Sequence, residues 1–151
     1  MEYVDVESLL PQRKPFLFVD KLLYNGYDGS ASLYTFKEDE PFFAGHFPGN
    51  PIVPGVILVE TMVQAGGAAL MQRKTITGDN PFFLASISKA KFRMLVRPNV
   101  QVKIVIKNLR VTNHMIRQSG IIYIGDDKAA EAEWMCLIGN GDDSYDSSHD
   151  T

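Results

Sequence analysis

Apolar and polar residues along this chain follow two different periods. Val100, Val102, Ile104 and Ile106 alternate with Gln101, Lys103, Val105 and Lys107, the period-two pattern of a half-buried strand. A second such run sets Ala130, Ala132, Trp134, Cys136 and Ile138 against Ala129, Glu131, Glu133, Met135 and Leu137. Between them lies a strand from Met115 to Ile124, bounded by turn residues Asn113-His114 and Gly125-Asp126-Asp127-Lys128. Phe82 to Phe92 alternates only in part and is read as a further strand. Connections this short favour an antiparallel meander. Upstream, a helical turn from Val4 to Leu10 stops at Pro11, and Gln12 to Pro15 forms a turn. A mostly apolar strand is predicted from Phe16 to Tyr24. After the turn signals Asn25-Gly26 and Asp28-Gly29, another follows from Ala31 to Phe36, rich in the Tyr, Thr and Phe that suit a pleated surface.

The central stretch keeps neither strand period. Pro48, Pro51 and Pro54 with Gly45, Gly49 and Gly55 make a stiff loop around His46. A helix then starts near Pro54 and ends at Arg73-Lys74, cations suited to its C-terminal dipole. It is apolar on nearly every face, from Val56, Ile57, Leu58 and Val59 through Met62 and Val63 to Ala68, Ala69 and Leu70, so it is expected to be buried on all sides. The predicted architecture is therefore α+β: two strands, one long buried helix and four antiparallel strands, the sheet wrapping the helix. One domain is expected over residues 1–139. Residues 140–151, G-D-D-S-Y-D-S-S-H-D-T with the Asn before it, read as an acidic, disordered tail.

Composition adds limits to this plan. A chain of 151 residues that is 45% apolar can build one real core. A single cysteine, Cys136, rules out an internal disulfide and fits a reducing compartment. The acidic N-terminal run lacks a secretory pattern, and Pro54, Glu60, Gln64 and Gly66-Gly67 argue against a membrane span, so a cytoplasmic protein is expected. The net charge of −3 conceals an asymmetry. Arg73 to Arg117 holds ten basic residues against one acid, a local +9, while Gln118 to the end carries eight acids and one Lys, a local −7. Such a basic segment either lines the wet faces of strands or steers an acidic partner.

Candidate chemistry converges on the central stretch. His149 falls in the tail and His114 in a turn, which leaves His46 as the histidine in a constrained, apolar setting. Glu60 sits inside the apolar helix with Gln64 one turn later on the same face. A carboxylate there costs several kcal/mol unless it is paired, hydrogen-bonded or protonated. A histidine near neutrality and a carboxyl kept protonated make a base–acid pair. Free N–H groups at Gly55 and Val56 would polarise a carbonyl. Removal of water β to a carbonyl needs those parts. No metal-ligand spacing, nucleophile elbow, phosphate loop or dinucleotide fingerprint occurs. The aromatic and basic run K-A-K-F-R-M is weak support for nucleic-acid binding, which is not expected.

The stretch E-P-F-F-A-G-H-F-P-G-N-P-I-V-P-G-V-I-L-V-E-T-M-V-Q-A-G-G closely resembles the active-site segment of bacterial 3-hydroxyacyl-(acyl carrier protein) dehydratases of the hot-dog fold. L-L-P-Q-R-K-P-F-L-F-V-D-K and K-A-K-F-R-M-L-V-R-P match the same family, and the likeness spans roughly Glu7 to Ile106. The resemblance implies His46 and Glu60 as the catalytic pair, thirteen residues lying between them as in the family. It implies that the Gly55 N–H, beside Val56, holds the thioester oxygen, that Gln64 supports the carboxylate, and that Phe92 meets substrate. Glu at position 60 resembles the branch that dehydrates without isomerising the double bond. A dimer of hot dogs, often assembled as a trimer of dimers, is implied, with histidine and carboxylate from different subunits. Gln12, Lys14 and Asn99-Val100 depart from the family pattern, which usually has His, an aromatic and Gly-Asp there.

The function read from this is dehydration of a 3-hydroxyacyl thioester, borne on an acyl carrier protein, to the trans-2-enoyl thioester in fatty-acid or related acyl-chain biosynthesis, without metal or redox cofactor. The carrier is acidic in such pathways, so Lys91, Arg93 and Arg97 are the expected docking residues. Two other readings stand beside it: a hot-dog acyl-thioester hydrolase, and a non-catalytic acyl-binding hot-dog subunit.

Overall fold

A computed structural model describes residues 5–76 and 82–139. Residues 140–151, expected to be a disordered tail, lie outside the described residues, as do most of the loop before Pro81 and the first residue of the N-terminal turn. The strands are β1 (Lys21–Asn25), β2 (Gly29–Thr35), β3 (Phe82–Phe92), β4 (Gln101–Val111), β5 (Met115–Ile124) and β6 (Asp127–Ile138). They form one antiparallel sheet in the order β1-β2-β4-β5-β6-β3. A single helix, α1 (Gly55–Gln72), touches every strand from the concave side, the expected α+β hot-dog arrangement.

The alternating runs set the faces. Val102, Ile104 and Ile106 of β4, Ile116 and Ile122 of β5, and Ala130, Ala132, Trp134 and Cys136 of β6 all point at α1 and are buried. The partial alternation of β3 has a geometric cause. Its pairing with β6 shifts between Leu84 and Ser86 and again between Ser88 and Lys91, so the two-residue period is reset twice. Leu84, Ile87 and Phe92 consequently sit opposite the buried Cys136, Trp134 and Ala130.

Two expectations need correction. The first strand starts at Lys21 rather than Phe16. Leu17, Phe18 and Val19 are buried consecutively, without alternation, and their backbone is held by a side chain instead of a ladder. The Phe18 N–H donates to Gln64 Oε1 at 2.7 Å, and Gln64 Nε2 donates to the Phe16 carbonyl at 3.0 Å. The helix is also not enclosed on all sides: thirteen of its eighteen residues are buried, while Val56 is 76% exposed and Glu60 only half-buried, both toward its N-terminal end. At the other end Arg73 is the C-cap. Its guanidinium donates to the Gly26 carbonyl at 2.7 Å, tying the helix to the β1–β2 turn.

The Gly66-Gly67 pair allows close approach. A Cβ on Gly66 would lie 2.2 Å from Oε1 of Gln118, and one on Gly67 would lie 2.2 Å from the Phe82 ring. Gln118 is 1% exposed, and its Nε2 donates to the Gly66 carbonyl and to Asn108 Oδ1. Helix propensity alone favours Gly66→Ala by about 1 kcal/mol. Displacing the buried amide costs about 1–3 kcal/mol. The substitution is therefore expected to lower Tm, and a rise on thermal denaturation would show that Gln118 can leave its site freely.

Candidate active site

His46 is positioned by the backbone on both sides of it. A short 3-10 turn, Pro41–Ala44, is anchored by Phe42 against Phe18 and Phe36, with ring centroids 6.1 Å apart in each pair. The His46 N–H donates to the Phe42 carbonyl at 3.0 Å, and its own carbonyl accepts the Ile52 N–H at 3.0 Å. Its Nδ1 lies 3.0 Å from the Ile52 carbonyl oxygen. A carbonyl can only accept, so Nδ1 carries the proton, and in the neutral ring Nε2 is left with a free lone pair. The loop's far side is stitched to the segment after β3 by Val53 N–H to the Val96 carbonyl (2.8 Å) and by Arg97 Nη1 to Asn50 Oδ1 (2.5 Å).

Glu60 lies on the second turn of α1. Burial pushes its carboxyl above the ordinary range, and the neighbouring Gln64 amide partly offsets this. Gln64 is fully buried, with both ends of its amide already bonded to Phe16 and Phe18. Across from Glu60, the thiol of Cys136 on β6 is pushed up to about 12, by burial first and then by the nearby carboxylate. Cys136 is 1% exposed, an unreactive packing group.

At the helix start, no hydrogen bond among the described residues takes up the N–H of Gly55 or Val56. Gly55 leaves room for the Phe92 ring, whose carbons lie 3.1–3.4 Å from where its Cβ would be. Phe47, Val56, Phe92 and Leu95 are each more than half exposed and form an apolar collar at this end. The structure thus brings Gly55 to Phe92, Gln64 to Glu60, and Arg97 to the His46 loop. Within the described residues of one chain it makes no hydrogen bond or ion pair between His46 and Glu60.

The remaining expected site residues divide by partner. Arg93 Nη2 is 3.1 Å from Glu131 Oε1, so its charge is largely met within the sheet. Arg97 is committed to Asn50. Lys91, exposed on β3, has no ion-pair partner among the described residues. Asn99, where the related pattern has Gly, takes φ 68, a left-handed conformation that Asn tolerates, and its amide donates to Glu38. No group of three or more His, Cys, Asp or Glu is gathered among the described residues as a metal site would need. The Ile52 carbonyl that orients His46 escaped sequence reading, because a backbone acceptor leaves no signature in residue type.

Residues 10–133 match the family model for the FabA-like domain. The chain is 35% identical over 139 residues to the 3-hydroxyacyl-(acyl-carrier-protein) dehydratase FabZ of Clostridium kluyveri, covering 90% of this chain and 94% of that one. It is 37% identical over 135 residues to the FabZ of Pelotomaculum thermopropionicum, covering 88% and 95%. Among solved structures, the dehydratase heterocomplex ApeI:P from Xenorhabdus doucetiae superposes with TM-score 0.78 at 16% identity, over 92% of this chain and 93% of that one. A thioesterase from Haemophilus influenzae shares the fold at TM-score 0.57 and 12% identity, over 83% and 82%.

The raised carboxyl of Glu60 has a consequence for stability. Burial favours its protonated form, so the folded state binds the proton more tightly than the unfolded chain does. Stability is then full below the ordinary carboxylate value of 4.5 and falls as pH rises through the higher folded value. Glu60→Gln removes this loss. Its Tm is expected to exceed the wild type's near pH 8, with the gap closing toward pH 4.5. Parallel Tm profiles for the two proteins would mean that Glu60 ionises without cost.

Proposed function

The chain belongs to the FabA-like domain family and is a 3-hydroxyacyl-thioester dehydratase, a carbon–oxygen lyase of fatty-acid or related acyl-chain biosynthesis, and from that premise we propose how its residues divide the work. His46 is the base and Glu60 the acid. The observation that carries this is the bond between His46 Nδ1 and the Ile52 carbonyl, which leaves Nε2 as the atom able to take a proton. Nε2 removes the α-proton of the substrate. The developing enolate oxygen is held by the Gly55 N–H, with Val56 beside it at the positive end of the helix. Glu60, whose hold on a proton burial strengthens, gives its proton to the β-hydroxyl, which leaves as water. The product is the trans-2-enoyl thioester. His46 then releases its proton and Glu60 takes one up. Phe92 walls the acyl path over Gly55, and Gln64 acts as a strut for Glu60 rather than as a substrate contact, its amide being already engaged.

The site is completed by a second copy. Leu84, Ile87 and Phe92 on β3 are 39%, 47% and 51% exposed although they face the helix side of the sheet, and β3 is an open edge. A homodimer formed along that edge would cover them and bring His46 of one chain to Glu60 of the other, with a trimer of dimers as the larger assembly. The substrate arrives on an acyl carrier protein, the carrier named for the relatives, and the enzyme works in the cytoplasm. Of the three cations expected to receive the carrier, Arg93 is paired with Glu131, Arg97 bonds only a neutral amide and keeps its charge, and Lys91, without a partner among the described residues, is the most available contact.

With a 3-hydroxyacyl thioester as substrate, conjugated enoyl absorbance is expected without release of free thiol. Free thiol instead would identify a hydrolase. His46→Ala and Glu60→Gln should each lower turnover by at least ~10²-fold with the fold intact. Refolding the two variants together should restore activity, because each mixed dimer keeps one intact pair; a mixture as inactive as its parts would place both residues of a site in one chain.

Lys91→Glu tests the carrier surface. Exposed charges govern encounter more than intrinsic affinity, and salt screens them over about 8–10 Å. Turnover of carrier-borne substrate should fall at low salt, while the same acyl group on a small uncharged thiol is processed as before. Equal small effects on both substrates would leave Lys91 as a solvated strand residue.

A further inference from the structure

Glu40 stands five residues before the loop glycine Gly45 that precedes His46, and nothing in the chemistry above uses it. Its carboxylate is nonetheless fully engaged. Oε1 accepts the hydroxyl of Tyr34 at 2.5 Å, and Oε2 accepts the backbone N–H of Lys37 at 2.7 Å. Tyr34 belongs to β2, points into the core and is 4% exposed. The Lys37 ammonium lies 4.2 Å above the Tyr34 ring and pairs with Asp20 at 3.0 Å, closing the cluster from the solvent side. The Glu40 backbone is also bonded at both ends: its N–H donates to the Lys37 carbonyl, and its carbonyl accepts the Phe43 N–H at 3.1 Å. Glu40 therefore sits at the N-cap, immediately before the 3-10 turn whose Phe42 carbonyl holds the His46 N–H.

We propose that Glu40 is a positioning residue for His46: clamped between the Tyr34 hydroxyl and the Lys37 amide, it fixes to the sheet the turn from which the histidine reaches substrate. This rests on His46 being the base. The clamp is the link between a rigid strand and the catalytic loop at the loop's N-terminal side, as Val96 and Arg97 are at its C-terminal side. A cavity of about 230 Å³ opens beside it, lined by Lys14, Leu17, Tyr34, Lys37 and Glu40 among others. Water can fill the space left by a shortened side chain there, so truncation loosens the turn without forcing the core to collapse. Burial is the largest cause raising the proton affinity of both groups; the Glu40 carboxylate adds to it at Tyr34, while the Tyr34 hydroxyl, the Lys37 N–H and the Lys37 charge work against it at Glu40, in keeping with a hydroxyl that stays a donor.

Tyr34→Phe and Glu40→Ala are expected to lower kcat roughly 10-fold, since small displacements of a catalytic group cost rate steeply, with KM within about 2-fold of wild type. Glu40→Gln should recover most of that loss, because its Oε1 can accept from Lys37 while its Nε2 donates to Tyr34. Assays run well below each variant's Tm separate positioning from stability. Unchanged kcat in Tyr34→Phe and Glu40→Ala, whatever their Tm, would overturn the inference, as would a Gln variant no better than Ala. His46→Ala is assayed alongside. If it is inactive while the Glu40 variants are normal, only the clamp fails; if it retains activity, the reading of His46 falls and this inference falls with it.

Discussion

An eighteen-residue helix with no polar face has to be covered, and one six-stranded sheet of this size covers most of it but not all. From Leu58 onward the sheet does the work, with the small residues Ala65, Gly66, Gly67 and Ala68 letting strands and the Gln118 amide come close. At the first turns the cover stops. Val56 and Glu60, one turn apart, face out of the single chain, and the uncovered β3 edge with Leu84, Ile87 and Phe92 lies on the same concave side. The unfinished part of the burial problem and the candidate chemistry are therefore in one place. In the proposed dimer, the second chain that finishes the burial would also finish the site.

The loop that carries His46 is held by a different means. It has no regular structure of its own after the 3-10 turn, so it is tied at separate points: by backbone bonds to Phe42, within the loop at Ile52 and to Val96, and by the Asn50 side chain to Arg97. The aromatic cluster of Phe18, Tyr34, Phe36 and Phe42 gives that loop a firm base. Gln64 serves both halves. It bonds the Phe16–Phe18 segment of this base and borders Glu60, so a single buried amide connects the segment under the histidine loop to the acid-bearing helix.

The fold was readable wherever burial follows a simple period. β4, β5 and β6 keep two-residue alternation, and β5 lies where its flanking turns place it. The helix announced itself by length and by Pro54. Where a side chain or a bulge replaced the regular ladder, periodicity misled: Phe16 to Val19 looked like strand because it is apolar, yet Gln64 supplies its hydrogen bonds. The bulges of β3 hid which of its residues share a face. At the site, His46 and Glu60 stood out by residue type in an apolar context. The Ile52 carbonyl, the Asn50–Arg97 bond and the Glu40–Tyr34 clamp did not, because their meaning lies in distances between residues far apart in sequence. Charge counting likewise overstated the basic surface, since Glu131 and Glu133 on β6 lie against Arg93, just past β3, and Lys89 on β3.

One consequence ties assembly to chemistry in the shared-site arrangement proposed above. Glu60 is an acid at neutral pH only to the extent that burial holds its proton. In the isolated chain that burial is partial, because the helix start is open to solvent. Closing the β3 edge removes more water from the carboxyl and brings the partner's imidazole to it. Desolvation raises the carboxyl's proton affinity, whereas a protonated histidine nearby would lower it. A neutral imidazole leaves the effect of burial on Glu60 unopposed. Once Nε2 has taken the α-proton, the new positive charge draws the proton off Glu60 toward the leaving hydroxyl. Opposite charges then face each other across the closed site until water departs. In that arrangement the interface that finishes the hydrophobic burial would also time the two proton transfers.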